Sequence, residues 1–184
     1  MGWSLDIIDV KPLPENSAVR KAFCDDVRSV LPRLEGRYDL AVHLAASVGG
    51  RVGIEHDPLG VASNLALDAE FFAFASRNRP ARCIYLSSSA VYPVDRQTGS
   101  WNGRPLREEE VDVSNGPIGI PDLTYGWAKL TGEYLALVTQ QSFGVPTAIY
   151  RPFSIYGPGQ SGDYPITAIC ERAQSRKDPL VVWG

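Results

Sequence analysis

The chain has 184 residues, with 21 acidic against 18 basic side chains and a net charge of −3. That balance lacks the basic surface on which general nucleic-acid binders and anionic-membrane binders depend, and no apolar run reaches the roughly 20 residues that span a bilayer. Hydrophobic residues at 44% and charged residues at 21% are ordinary for one globular domain with a core.

The amino terminus, Met1-Gly2-Trp3-Ser4-Leu5-Asp6, lacks the basic and apolar regions of a signal peptide. Cys24, Cys83 and Cys170 are scattered and odd in number, which fits free thiols in a reducing cytoplasm. His43 and His56 are too few for a metal site, and no metal is expected.

Strand and helix patterns alternate along the chain, the signature of a parallel sheet covered on both faces. Leu5–Val10 reads as a strand carrying an acid, Asp9, near its end. Lys11–Asn16 is a proline-rich loop, Val19–Phe23 a short strand, and Asp25–Leu34 a helix with Asp25 placed as its N-cap. Leu40–Leu44 is a strand, and His43 within it reads as a packed histidine. Pro58–Ser76 has the spacing of a helix whose apolar stripe includes Leu65, Phe72 and Ala75.

Arg82–Leu86 reads as a buried strand, followed at its carboxyl end by Ser87-Ser88-Ser89, where open α/β sheets place their sites. Tyr92–Asp122 is a long loop, of a length that is usually functional in a compact domain. Trp101 within it reads as a loop anchor. Leu123–Phe143 is predicted helical, with a stripe at Leu130, Tyr134, Leu137 and Val138 and a stop at Gly144. Pro146–Tyr150 is a strand, Tyr164–Gln174 a helix, and Leu180–Trp183 the start of another strand.

The chemistry is carried by Tyr125-Gly126-Trp127-Ala128-Lys129. On a helix, positions i and i+4 share a face, so the ammonium can lie near the phenol. A nearby cation favours the phenolate and lowers a phenol pKa from about 10, which suits the phenol to exchange protons with a substrate hydroxyl. Alone the pair is weak, because tyrosine and lysine share helix faces by chance. The serine run at a strand end is what raises it.

Four segments then occur in order: Val42-His43-Leu44-Ala45-Ala46-Ser47-Val48-Gly49-Gly50, Leu86-Ser87-Ser88-Ser89-Ala90-Val91-Tyr92-Pro93, Tyr125 to Lys129, and Arg151-Pro152-Phe153-Ser154-Ile155-Tyr156-Gly157-Pro158-Gly159. Together they resemble the extended short-chain dehydrogenase/reductase family, in its NAD-dependent nucleotide-sugar epimerase/dehydratase branch. The resemblance implies an α/β, Rossmann-like doubly wound parallel sheet. It also implies an enzyme that removes a sugar hydroxyl proton as hydride passes to NAD, giving a transient keto-sugar.

By this resemblance Tyr125 is the general acid/base, and Lys129 tunes it and holds the nicotinamide ribose. Ser88 is the match to the catalytic Ser/Thr, with Ser89 the alternative. The cofactor-side residues implied are Asp9, Asp26, Ala45, Ala46, Asn64, Ser87, Tyr125, Lys129, Arg151 and Phe153. Asp9 fits an adenosine-ribose ligand that favours NAD, while nearby Lys11 keeps NADP open. Ser154 stands where the family usually has Asn.

The dehydratase branch usually shows an Asp-Glu pair after its catalytic Thr. Here Ser89 and Ala90 stand there, so isomerisation or reduction fits better than 4,6-dehydration. Val48-Gly49-Gly50 leans toward the GDP-sugar members. Two alternatives stay open: an extended reductase acting on a non-sugar carbonyl or alcohol, and a noncatalytic remnant. The family often dimerises through two helices, here at 58–76 and 124–143.

A dinucleotide-binding fold starts with a strand, a glycine-rich turn and a helix. The first strand here already ends like the second strand of such a fold. Gly49-Gly50-Arg51-Val52-Gly53 follows the later His43 strand and does not serve as the fingerprint. The expectation is a single partial domain over residues 1–184, without the first β-α unit and the carboxyl-terminal substrate region. Such a chain is expected to leave inner sheet edges unpaired and, by itself, to bind NAD weakly.

Overall fold

The computed structural model describes residues 2–13, 18–48, 50–97, 104–116, 118–153, 155–160, 162, 164–176, 178–180 and 182. Among them strands β1 (Leu5–Asp9), β2 (Val19–Cys24), β3 (Ala41–His43), β4 (Cys83–Leu86) and β5 (Thr147–Tyr150) are interleaved with helices. The helices are α1 (Val27–Val30), α2 (Gly50–His56), α3 (Pro58–Ala62), α4 (Asn64–Asn78), α5 (Leu123–Phe143) and α6 (Pro165–Gln174).

All ladders are parallel, as the alternating pattern requires. They form two sheets rather than one continuous sheet: β1 pairs with β2, and β3-β4-β5 form a second ladder. Among the described residues, Leu5–Asp9 pairs only with Val19–Cys24, and Ala41–His43 only with Cys83–Tyr85. Among the described residues no strand links β1 to β3, in keeping with the expected unpaired inner edges.

The two sheets share one apolar core. Ile8 of β1, with Val27 and Leu34, packs against buried Leu31, Phe71, Phe72, Phe74, Ala75, Cys83, Tyr85, Ala136 and Val145. Tyr38 adds a polar tie: its hydroxyl donates to Asp6 Oδ2 at 2.9 Å, its carbonyl accepts from Ala81, and its ring meets Phe74 edge-on. A second cluster of Val91, Tyr92, Val111 and Leu130 packs the long loop onto α5.

Several element boundaries shift for local reasons. The helix expected over 25–34 is only α1 followed by a 3₁₀ turn at Leu31–Arg33, because Pro32 cannot donate to an α-helical ladder. Its N-cap is Asp26 rather than Asp25: Asp26 Oδ1 accepts from the Arg28 amide at 2.8 Å. The helix expected over 58–76 divides at Ser63 into α3 and α4, and α3 is started by Asp57, which accepts from the Gly60 amide, with Pro58 at the first position.

Leu65 of the expected stripe is exposed. The inward face of α4 begins instead with two polar residues, Asn64 and Asp68, before Phe71, Phe72 and Ala75. The reading of α5 holds at both ends, closing on Gly144 in the left-handed conformation, φ +70°. Its stripe does not hold in full: Tyr134 is 53% exposed, whereas Lys129, Gly132, Glu133 and Ala136 face inward. Leu180 and Val182 are in no strand, and Val181 and Trp183 lie outside the described residues, as do Trp101 and Ser154.

Candidate active site

The carboxyl end of β4 runs straight into the serines. Ser87 N–H donates to Tyr150 O at 2.8 Å and Ser89 N–H to Pro152 O at 3.1 Å, so β4 and β5 stay zipped past their formal ends. Ser88 caps the next 3₁₀ turn, its Oγ accepting from the Ala90 amide at 3.1 Å. The Ala90 carbonyl then accepts from the Asp122 amide at 2.8 Å, which stitches the start of α5 to the serine run. Gly126 makes this approach possible, because a Cβ there would collide with the Ala90 carbonyl.

This stitching brings Tyr125 beside Ser88, close enough for the serine side chain to act on the phenol. Lys129, one turn on, is 3% exposed, and its Nζ lies 5.0 Å from the centroid of the Tyr85 ring. The electrostatics differ from the sequence expectation in one respect. Burial holds the Tyr125 phenol above its ordinary value, opposed by the Ser88 hydrogen bond. Lys129 is directed at Tyr85, and its own pKa is lowered by burial, with Asp68 opposing. Burial thus dominates both members of the pair.

The remaining expected site residues divide into groups. Ala45 and Ala46 follow β3 in a half-buried coil. Asn64 holds that coil in place: Ser47 N–H donates to its Oδ1 at 2.7 Å, and its Nδ2 donates to Ser47 O at 2.9 Å. Asp9 is exposed at the end of β1, one oxygen accepting from the Lys11 amide at 2.9 Å. Asp26 is committed to Arg28, whose guanidinium holds its carboxyl down to about 2. Phe153 is exposed, with its ring 5.6 Å from Tyr92.

Ser87 and Arg151 have structural work. Ser87 donates to Glu133 Oε1 at 2.5 Å. Arg151 donates to both oxygens of Glu133, at 2.8 and 2.7 Å, and to the carbonyls of Glu108 and Val111, both at 2.9 Å. Glu133 is fully buried, so this fork satisfies a charge that would otherwise be strongly disfavoured. A cavity of about 320 Å³ opens beside this fork, lined by Glu108, Glu109, Val111, Asp112, Ile149 and Arg151, away from Tyr125.

Sequence reasoning passed over Glu133, Asp68 and Tyr85. Glu133 was accessible from spacing, being four residues past Lys129 on the same face. Asp68 stands four past Asn64 in the same way. Tyr85 was hidden inside a strand that reads as plainly apolar.

The residues present fit part of a dinucleotide. The strand-end alanines, Ser88, Tyr125 and Lys129 offer small side chains, a hydroxyl pair and a cation to a ring and its ribose, and exposed Asp9 offers a carboxylate to ribose hydroxyls.

A parallel α/β fold with a serine, a tyrosine and a lysine gathered at its strand ends defines a short-chain dehydrogenase/reductase-like protein. The sequence profile described as the NAD dependent epimerase/dehydratase family matches residues 21–184, and the chain belongs to that family. It is 31% identical over 153 residues, 82% of this chain and 43% of the relative, to the uncharacterized UDP-glucose epimerase YtcB of Bacillus subtilis. The crystal structure of UDP-glucuronic acid 4-epimerase from Bacillus cereus, in complex with UDP-glucuronic acid and NAD, matches with a TM-score of 0.66 and 26% identity. That match covers 92% of this chain and 49% of the epimerase.

A UDP-N-acetylglucosamine 4-epimerase from Methanobrevibacter ruminantium M1 shares the fold, with a TM-score of 0.73 at 22% identity over 91% of this chain and 51% of that structure. The chain thus spans about half the length of the proteins it matches. No helix among the described residues is long and apolar enough to cross a membrane.

Proposed function

We propose that this chain supplies the reaction centre of an NAD-dependent epimerase/dehydratase-type enzyme acting on a nucleotide sugar. The observation that carries this is the gathering of Ser88, the Tyr125 phenol on which it acts, and buried Lys129 at the carboxyl edge of a parallel ladder. Bound NAD supplies the hydride acceptor; Ala45, Ala46, Tyr125 and Lys129 would hold its nicotinamide half and Asp9 its adenosine ribose.

Everything else falls to the chain's own side chains. Ser88 donates a hydrogen bond to the reacting sugar oxygen and orients it toward Tyr125. Tyr125 takes the hydroxyl proton as the carbon is oxidised, and returns a proton when the keto-sugar is reduced. Its pKa, raised by burial, is a cost that the Lys129 ammonium offsets in part. Ser89 and Ala90, in place of an acidic pair, leave no carboxyl side chain at those positions for 4,6-elimination, which supports epimerisation or reduction.

A panel of UDP-, dTDP- and GDP-sugars assayed with NAD on the full-length protein tests this reading. Conversion of at least one sugar, abolished by Tyr125→Phe, is expected. Turnover that survives Tyr125→Phe, or that is confined to non-sugar alcohols, would overturn it.

We further propose a homodimer through the helices at 58–76, α3 with most of α4, and at 124–143, in α5. Trp127, Thr131 and Tyr134 fall at i, i+4 and i+7 and are all exposed, an aromatic stripe on the side of α5 away from the core. Tyr134→Glu should convert a dimer to a monomer in sedimentation; a wild-type monomer at high concentration would reject the assignment. The three free cysteines support a reducing, cytoplasmic setting.

A further inference from the structure

Beneath Lys129 lies a carboxylate that the reaction above does not use. Asp68, in the second turn of α4, is 1% exposed. Its Oδ1 lies 2.8 Å from His43 Nε2, and its Oδ2 accepts from the Tyr85 hydroxyl at 2.6 Å. His43 is itself buried, stacked on Phe71 at 4.4 Å. The Tyr85 hydroxyl also reaches the Lys129 carbonyl, at 3.5 Å, and the Tyr85 ring sits under the Lys129 ammonium.

The helix carrying Lys129 approaches this cluster because Gly132 has no side chain. A Cβ there would overlap the Tyr85 hydroxyl and stand 2.7 Å from Asp68 Oδ2. A buried ammonium, a buried carboxylate and a polarised aromatic ring therefore share one buried space formed by β3, β4, α4 and α5. A buried ammonium persists only where opposite charge or a π face compensates its lost water.

We infer that Asp68, presented through Tyr85, is a positioning residue: it is the fixed counter-charge that keeps Lys129 protonated and holds its ammonium at the reaction centre. The inference rests on the role given to Lys129 above. Burial pulls the lysine toward its neutral form and Asp68 opposes that pull.

The other titratable groups around it are already engaged. His43 of β3 lies on the far side of Asp68, Tyr85 of β4 donates to Asp68, and Glu133 of α5 is bound to Arg151. Tyr125 of α5 pairs with Ser88, and Tyr164, at the start of α6, acts on Tyr125. Removing the Asp68 charge leaves the burial of Lys129 unopposed, so the lysine loses its proton at lower pH.

The test is an NMR titration of the lysine ¹³Cε signals in the full chain. It holds four lysines, Lys11, Lys21, Lys129 and Lys177, and Lys129→Arg assigns the signal. In Asp68→Asn the Lys129 midpoint is expected to fall by about one pH unit or more, a shift typical of a lost neighbouring charge, while the other three stay in place. In Tyr85→Phe, which keeps the ring and frees the carboxylate, a smaller fall is expected.

An unmoved Lys129 midpoint in folded Asp68→Asn overturns the inference. If that variant does not fold, an unmoved midpoint in Tyr85→Phe overturns it instead. The titration needs no turnover, so it fails or succeeds independently of the enzymatic reading. That reading fails separately if Lys129→Met leaves the full-length enzyme's rate unchanged. Where there is turnover, Asp68→Asn should also move the alkaline fall of kcat to lower pH, a shift that general loosening of the fold would not produce.

Discussion

Helix α5 carries two buried charges one turn apart, and their surroundings are opposite. Glu133 is saturated: two guanidinium contacts and the Ser87 hydroxyl fix its carboxylate, and the same guanidinium clamps the loop at Glu108 and Val111. Lys129 has a ring beneath it and Asp68 beyond that ring. The first arrangement is closed and serves the fold. The second leaves donor capacity for a ligand, and on the same helix face it is the difference between a rivet and a reagent.

The contrast is broken most severely from the closed side. Glu133→Ala leaves half-buried Arg151 against carbonyls without its anion, and breaking such a pair costs at most about 3–5 kcal/mol. Urea unfolding should show that loss, and an unchanged midpoint would mean that the fork carries no stability. Tyr125→Phe sits on the open side. It should leave the urea midpoint near wild type while lowering kcat of the full-length enzyme by about 100- to 10,000-fold.

Gly132→Ala tests the join between the two, pushing a methyl toward Tyr85 and Asp68. An overpacking loss of about 1–3 kcal/mol is expected in thermal melting. The smallest effect is remote from both. Tyr38 is raised to about 12, first by burial and then by its hydrogen bond to Asp6. Its folded pKa lies above the unfolded value near 10, so its contribution is fully present below about pH 10 and is lost as pH rises through about 12. Tyr38→Phe should flatten stability against pH in that alkaline window, and an unaltered slope there would exclude Tyr38 as the cause.

Much of this was legible in the chain. The ends of α5 follow from its spacing and from Gly144, and Ser88, Tyr125 and Lys129 from their order in a strand-loop-helix context. The inward face of α5 was not legible, because hydropathy assigns Leu130 and Tyr134 to the core and Lys129 and Glu133 to water, whereas nonlocal partners, Asp68 from α4 and Arg151 just past β5, reverse two of those assignments. The break at Ser63 and the shortened α1 follow from local chemistry at Asp57, Pro58 and Pro32 that a periodicity reading smooths over. The roles suggested for Asn64, Ser87 and Arg151 rested on position in a pattern. Their side chains hold Ser47 and Glu133, so they shape the pocket walls whatever the ligand touches.

Gly126 has one more consequence. With the Ala90 carbonyl pressed against its bare α-carbon, α5 can neither roll nor ride upward without losing the contact that sets Tyr125 against Ser88. The pocket therefore has a stationary wall, and whatever adaptation a guest demands falls to side chains outside that contact, such as exposed Phe153.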